Sequence, residues 1–417
     1  MNTHIKPSDI YTSYMYSYPH KTAYRELSGL HFAAYKQQFE KSGATLYFHI
    51  PFCKSKCGYC NLFSVTGQDG EYMQKYISAC EDQLGQYGVP LSSFDYACFG
   101  GGDPLSLPRG LLDRLLALGG GLEKHIEVSP NETSFQKLDI LESHNTKRIS
   151  IGIQSFVDTE LLALQRAHSA TSALNALELI MERDFPCVNL DLIYGIPGQT
   201  LQSFEASLKR ACEFGTEELF IYPLYARSGT PLEGTCTNPL AYSMYWHARD
   251  YLLANGFAQV SMRQFARKPT AVQKNCGFEN MLAIGCGGRS YLGNLHFCSP
   301  YATDKVVCLQ IINEFIASLD KTCISNGYVL SKDEMERRYV VKNLLHCAGV
   351  NIDEYKSAFG SSIFDDFPVL GQLLSSVFAQ EVDGIVALTP VGLSLSDYIG
   401  TFFISTAVKE RMEQWSE

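Results

Sequence analysis

Tyr47-Phe48-His49-Ile50-Pro51-Phe52-Cys53-Lys54-Ser55-Lys56-Cys57-Gly58-Tyr59-Cys60-Asn61 decides how the chain is read. Cys53, Cys57 and Cys60 follow a short apolar, β-like run at the spacing C-x3-C-x2-C. Three thiolates on one tight loop suit three irons of a cubane [4Fe–4S] cluster, a group that takes thiolate ligands and fills its protein sites with four. The missing fourth thiolate leaves one iron open to an outside ligand, so the loop reads as reactive. Fourteen cysteines in 417 residues produce on the order of 0.02 such triplets by chance. The spacing is therefore informative by itself.

Working outward, residues 45–265 alternate short apolar segments with amphipathic ones. Strands are expected at 45–50, 94–99, 124–129, 147–153, 187–194 and 218–224. Helices are expected at 70–87, 108–117, 134–144, 170–184, 200–214 and 239–255. In 170–184, Leu174, Leu177, Ile180 and Met181 recur at helical spacing behind the capping hydroxyls of Ser169 and Thr171. Such alternation predicts parallel strands joined by right-handed crossovers. Six units make an α/β fold with an open, partial (β/α)6 barrel, whose functional groups belong at the C-terminal strand ends.

Residues 1–44, rich in tyrosine, read as a strap. The Gly- and Cys-rich stretch 266–310 reads as a connecting segment, and 311–417 as a small winged-helix-like domain. A net charge of −10, with 46% hydrophobic and 19% charged residues, describes a soluble globular chain with no electrostatic footprint for nucleic acid. No apolar leader and no membrane-spanning run is evident, so a cytoplasmic protein with reduced thiols is expected.

Candidate site residues follow the expected strands. Tyr59 either covers a cluster or stacks on a base, or packs the loop. Gly100-Gly101-Gly102-Asp103-Pro104 lets backbone approach a ligand closely. Glu127 at a strand end suits ribose hydroxyls or an ammonium group, or a rim salt bridge. Gln154 and Arg166 suit an α-carboxylate, which Arg holds bidentately. Asp191, inside Val188-Asn189-Leu190-Asp191-Leu192-Ile193-Tyr194, needs a partner or a ligand. Tyr222 and Tyr225 line a pocket or edge the core. Cys276, Cys286 and Cys298 lack metal spacing and read as structural thiols, and His20 and His168 receive no metal role.

Together these motifs resemble the radical S-adenosylmethionine (SAM) superfamily, in the branch typified by oxygen-independent coproporphyrinogen III oxidase. The matching stretches are His49-Ile50-Pro51-Phe52-Cys53 with its two following cysteines, Gly100-Gly101-Gly102, Glu127, Ile151 to Phe156, Arg166-Ala167-His168 and Asp191 to Thr200. The resemblance implies that SAM chelates the open iron and is cleaved to a 5′-deoxyadenosyl radical, with the electron drawn from a donor such as a flavodoxin or a ferredoxin. It implies two SAM molecules: Tyr47, Gly101 and Glu127 around the first, and Tyr59, Gly102, Asp103, Gln154, Arg166 and Asp191 around the second. Gly100 and Tyr225 are placed in the same cofactor pocket. Asp103 departs from the branch's commoner threonine, and Arg227-Ser228 from its commoner Arg-Pro.

Tyr16 to Arg25 and Tyr222 to Arg227 are similar to class C radical SAM methyltransferases and cyclopropanases. That similarity implies transfer of one carbon to an sp2 carbon of a natural product, either a small molecule or a peptide-derived substrate. The alternatives within the branch are oxidative decarboxylation of a porphyrinogen and haem trafficking. Replacing Cys53, Cys57 or Cys60 by Ser is expected to abolish [4Fe–4S] incorporation, measured as iron content and visible absorbance after anaerobic reconstitution.

Overall fold

The structure is a computed structural model describing residues 10–11, 14–15, 17–39, 43–225, 229–234, 238–268 and 279–416. Tyr16, Arg227, Ser228 and Cys276, singled out in the sequence, lie outside the described residues. Six strands, β1 (Ala44–Ile50), β2 (Phe94–Gly101), β3 (Glu123–Val128), β4 (Thr146–Gln154), β5 (Cys187–Tyr194) and β6 (Glu218–Pro223), stand side by side in sequence order. Every neighbouring pair among them is parallel. The intervening helices include α1 (Gly70–Tyr87), α2 (Arg109–Ala117), α3 (Phe135–Ser143), α4 (Asp158–Ala163), α5 (Ala170–Met181) and α6 (Leu201–Glu213). The six expected strands and their helices thus stand within a few residues of their expected bounds, and the partial (β/α)6 barrel is the observed fold.

Local chemistry explains the element ends. Asp69 caps α1 by accepting from the Tyr72 amide at 2.8 Å, and Gly88 ends it in the left-handed conformation. Ser169 with Ser172, and Thr200 with Ser203, form capping boxes on α5 and α6. The strands carry apolar residues on the face that packs against the helices and polar ones on the other. In β5 the buried Leu190 and Leu192 alternate with Asn189 and Asp191. Opposite faces of one strand therefore serve the core and the site.

The sheet does not stop at the barrel. Beyond β6 it continues through the antiparallel strands Gln264–Ala266 and Ala258–Gln259. Beyond β1 it continues through Met281–Ile284, Ser290–Leu292, Leu295–Phe297, Cys323–Val329 and Arg25–His31, making thirteen strands. The stretch expected to connect domains therefore builds sheet instead. The first strand of the expected C-terminal domain, Cys323–Val329, also belongs to the large sheet. What stands apart is a three-stranded antiparallel sheet, Val350–Asn351, Ala379–Val382 and Ile385–Leu388, with its helices. It has its own apolar core, and the strap residues Ile10, Met15, Tyr18, Ala23 and Tyr24 are part of that core.

Gly285-Cys286-Gly287-Gly288 lies directly behind the cluster loop. The Tyr76 hydroxyl donates to the His49 carbonyl at 2.8 Å and accepts from the Cys286 amide at 2.9 Å. A Cβ on Gly287, whose φ is +88°, would stand 2.7 Å from His49 Nε2 and 2.8 Å from Phe63 Cβ. Gly287→Ala is expected to lower the unfolding free energy by about 1–3 kcal/mol, the range for a strained left-handed residue. A lower denaturant midpoint checks this.

Candidate active site

The cluster loop leaves β1 through Pro51 and is closed at its base. Phe52–Cys53 pairs with Val65–Thr66, and the Val65 amide donates to the Pro51 carbonyl at 2.7 Å. Gly58, between the second and third cysteines, is gripped from both sides. Its amide donates to the Leu164 carbonyl at 3.0 Å, and its carbonyl accepts from the Leu232 amide at 3.1 Å. The turn after β2 docks on the same loop: the Gly102 amide donates to Ile50 at 2.7 Å and the Asp103 amide to Phe52 at 2.8 Å. A Cβ on Gly102 would lie 2.6 Å from the Phe52 carbonyl oxygen and 3.0 Å from Cys53 Sγ, so only glycine permits this approach.

A cavity of about 400 Å³ opens beside the loop and falls within the range of small-ligand sites. Cys53, Cys57, Tyr59, Cys60, Gly101, Gly102, Asp103, Glu127, Gln154, Arg166, Asp191 and Tyr225 all line it, so one space gathers most of the expected site residues. Tyr47 and Gly100 do not line it. The Tyr47 hydroxyl faces His49 Nδ1 at 3.3 Å. Gly100 instead leaves room for Glu127, whose Oε2 would be 2.5 Å from an added Cβ.

Buried charge dominates the walls. Glu127 accepts from the Gly101 amide at 3.2 Å, and burial raises its carboxyl above the usual range. Burial pushes Asp191 up to about 7; the Asn189 amide, donating at 2.8 Å, opposes the rise, and the Glu127 charge adds to it. Arg166 makes two hydrogen bonds within the protein. Its Nη1 donates to Cys57 Sγ at 2.9 Å and its Nη2 to the Gly152 carbonyl at 2.6 Å, while its buried Nε lacks a protein partner. Gln154 ends β4 with φ +70°, a strained backbone for a residue other than glycine. Its amide fits because residue 152 lacks a side chain. Tyr59 packs against the small apolar group of Leu164, Ile193, Ile196, Leu224 and Leu232 as well as lining the cavity.

Asp103 explains its own departure from threonine. Its carboxylate caps the short turn Pro104–Ser106, accepting from the Leu105 amide at 3.0 Å and from the Ser129 hydroxyl. A threonine hydroxyl can make the same cap. Burial pushes the Asp103 carboxyl up to about 6.

The donor set fits an iron–sulfur cluster. Cys53, Cys57 and Cys60 are free thiols, none of them fully buried. Burial, together with the charges of the neighbouring sulfurs, pushes Cys53 up to about 12 and raises Cys60. Three thiolates this close call for positive charge among them, which iron supplies. Among the described residues no group of three His, Cys, Asp or Glu side chains is placed to hold a single ion. In a cubane each thiolate meets a different iron, so the sulfurs stand apart.

Sequence reading did not place several wall residues here. Tyr14 reaches the cavity from the strap, and Ser129, Glu132 and Ser150 complete its sides. Behind them stand Arg263 and Asp397, far away in the chain. Neither carries a motif that would have exposed it.

Residues 47–211 match the Radical SAM superfamily profile. The haem chaperone HemW of Bacillus subtilis is 25% identical over 382 residues, an alignment covering 86% of this chain and 98% of that protein. The oxygen-independent coproporphyrinogen III oxidase of Escherichia coli is 24% identical over 335 residues, covering 72% and 71%. The solved structure of that organism's coproporphyrinogen III oxidase superposes with a TM-score of 0.78 at 21% identity, covering 93% and 96% of the two chains. The names of these relatives overturn the expected one-carbon transfer to a natural product. The strap segment that suggested it acts as a tether: Tyr18 is buried in the C-terminal core with its hydroxyl on Glu334, and Arg25 begins a sheet strand. The cofactors are those of the superfamily, a [4Fe–4S] cluster and SAM. Residues 47–211 form a radical SAM domain, and over most of its length the chain is similar to proteins of the oxygen-independent coproporphyrinogen III oxidase-like branch.

Proposed function

We propose that the chain is a radical SAM enzyme of the coproporphyrinogen oxidase type, acting on a propionate side chain of a porphyrinogen. The substrate would give up a hydrogen atom to the radical that the cofactors supply, lose its carboxylate carbon as carbon dioxide and pass one electron to an external one-electron acceptor, leaving a vinyl group. One observation carries this reading: a single cavity runs from the three cluster thiols past Glu127, Gln154, Arg166 and Asp191 to Tyr14, Tyr222 and Tyr225. The near end-to-end alignments with coproporphyrinogen oxidases support it.

When bound, the cluster and SAM supply the hydrogen-abstracting radical. The chain's own residues then divide the work. Cys53, Cys57 and Cys60 hold the cluster. Glu127, held by the Gly101 amide, would meet the SAM on it, and Asp191, Gln154, Arg166, Gly102, Asp103 and Tyr59 would seat a second SAM. The apolar group beside Tyr59 keeps water from the reacting carbon. The electron would come from a donor such as a flavodoxin or a ferredoxin.

Haem trafficking is the second reading, favoured by the alignment that covers nearly all of a haem chaperone. Among the described residues His168 is the histidine that lines the cavity, and its Nε2 faces the Ile153 carbonyl at 3.0 Å. Anaerobic incubation of the reconstituted protein with SAM, dithionite and coproporphyrinogen III is expected to release carbon dioxide and 5′-deoxyadenosine together. Tight haem binding without substrate-dependent SAM cleavage would reject the enzyme reading.

A second expectation concerns pH. A cationic ligand seated against Asp191 selects the ionised carboxylate. SAM affinity therefore rises as pH increases through about 7, by about tenfold per unit below that value, and levels off above it. Asp191→Asn removes this dependence. Equilibrium dialysis with SAM across that range is the measurement.

A further inference from the structure

The end of the cavity remote from the cluster is made by three tyrosines from two parts of the chain. Tyr222 lies near the end of β6, Tyr225 follows it, and Tyr14 comes from the strap. The Tyr14 ring stacks on Tyr225 with centroids 5.2 Å apart and planes at 27°, and meets Tyr222 edge-on at 6.3 Å. Tyr14 has no strand or helix to fix it. What fixes it lies behind the wall, outside the cavity, in a buried group centred on Asp397 of the helix Ser396–Gly400.

Asp397 joins three segments. Its Oδ1 accepts from the Met15 amide at 3.0 Å and from Arg263 Nη2, and its Oδ2 accepts from the Tyr225 hydroxyl. Arg263 Nη2 also donates to the Tyr225 hydroxyl at 2.8 Å, and its guanidinium carbon lies 4.3 Å from the centre of the Tyr14 ring. The Asp397 side chain is fully shielded from solvent and that of Arg263 is 10% exposed. A charge pair this buried is held in one geometry by the groups around it, and removing one member leaves the other uncompensated. The same carboxylate therefore sets the strap backbone beside Tyr14, the hydroxyl of Tyr225 and the cation under the Tyr14 ring.

We propose that Asp397 is a positioning residue for substrate selection. It locks Tyr14 against Tyr225, so that the cavity ends in a rigid aromatic wall shaped for a flat, unsaturated ring such as a pyrrole. The choice of ring rests on the function proposed above; the lock itself does not. Stacked and edge-on π surfaces favour planar partners, and a wall pinned by buried hydrogen bonds loses little freedom when the ring arrives. The hydrogen bonds of Asp397 and Arg263 run to Met15, Tyr225 and each other and to none of the cluster thiols, Glu127 or Asp191, so the lock acts on substrate more than on SAM.

The test uses full-length, cluster-reconstituted protein bearing Asp397→Ala, Asp397→Asn or Tyr14→Ala. Hydrogen exchange of the peptide containing Met15 reads the lock directly. Asp397→Ala is expected to speed it about tenfold or more, because the amide loses its acceptor. With coproporphyrinogen III as the probe, Asp397→Ala and Tyr14→Ala should each raise KM about tenfold with kcat changed less than about threefold. SAM affinity, measured by equilibrium dialysis, should stay within about twofold for the Asp397 variants. Should the alanine variant fail to fold, Asp397→Asn keeps an acceptor for Met15 and drops the charge facing Arg263. A KM increase of about threefold with SAM affinity retained is then expected. Unchanged exchange and KM in the alanine variant, or equal losses of substrate and SAM binding, overturn the proposal. If the unsubstituted protein does not turn over coproporphyrinogen III, the proposed function falls alone. Exchange then decides the lock: faster exchange in Asp397→Ala upholds it and unchanged exchange rejects it.

Discussion

The site depends on backbone meeting backbone with no side chain between. The Gly102 amide reaches the Ile50 carbonyl and the Asp103 amide reaches Phe52, so the turn after β2 is bolted to the loop carrying the thiols. Any side chain at residue 102 would occupy the space of those carbonyls and of Cys53 Sγ. Hydrogen bonds of this kind leave few degrees of freedom. They fix where three sulfurs stand relative to Glu127 and Asp191, which hang from neighbouring strands. A metal site built on rigid elements keeps its geometry better than one built on a free loop.

A second support comes from behind. His49 fills the space between the Gly101 turn and the Gly285–Gly288 loop, with Nε2 facing the Phe63 carbonyl at 2.9 Å. Burial pushes its imidazole down to about 4, so the ring is neutral. It serves as a packed spacer with fixed hydrogen bonds and brings no charge next to the cluster loop. The loop behind it belongs to the extra strands on the β1 side of the sheet. Those strands thereby help to hold the first strand of the barrel and the thiols that follow it.

Much of this was readable from residue order. The cluster loop, the glycine turn and the carboxylates sit at strand ends, where a parallel barrel places functional groups, and short-range patterns located both strands and helices. Pairing across long separations was not readable. The strand Cys323–Val329 joins Arg25–His31 because both run beside the large sheet, and no local period announces such a match. For the same reason 266–310 read as a connector: strands of three or four residues carry too little alternation to be recognised. Arg166 lines the cavity, and its contacts with Cys57 Sγ and the Gly152 carbonyl were not readable, since residue type alone does not name a guanidinium's protein partners. Asp397 was invisible because its role is fixed by residues more than 130 positions away. The subfamily inference failed where tyrosines of a tether were read as chemistry.

The strap's place in the second core has a consequence for synthesis. Ile10, Met15, Tyr18, Ala23 and Tyr24 share that core with residues between Tyr328 and Val408, and the Met15 amide meets a carboxylate 382 positions later. As the polypeptide emerges from the ribosome, the six parallel strands and their helices can condense while the strap still waits for its partner. Contacts between such distant residues form late, after the cost of closing a very long loop has been met. The thiol loop and its glycine turn are thus assembled before the aromatic end of the cavity is walled off. During that interval the site stands open at the face where Tyr14 will later lie.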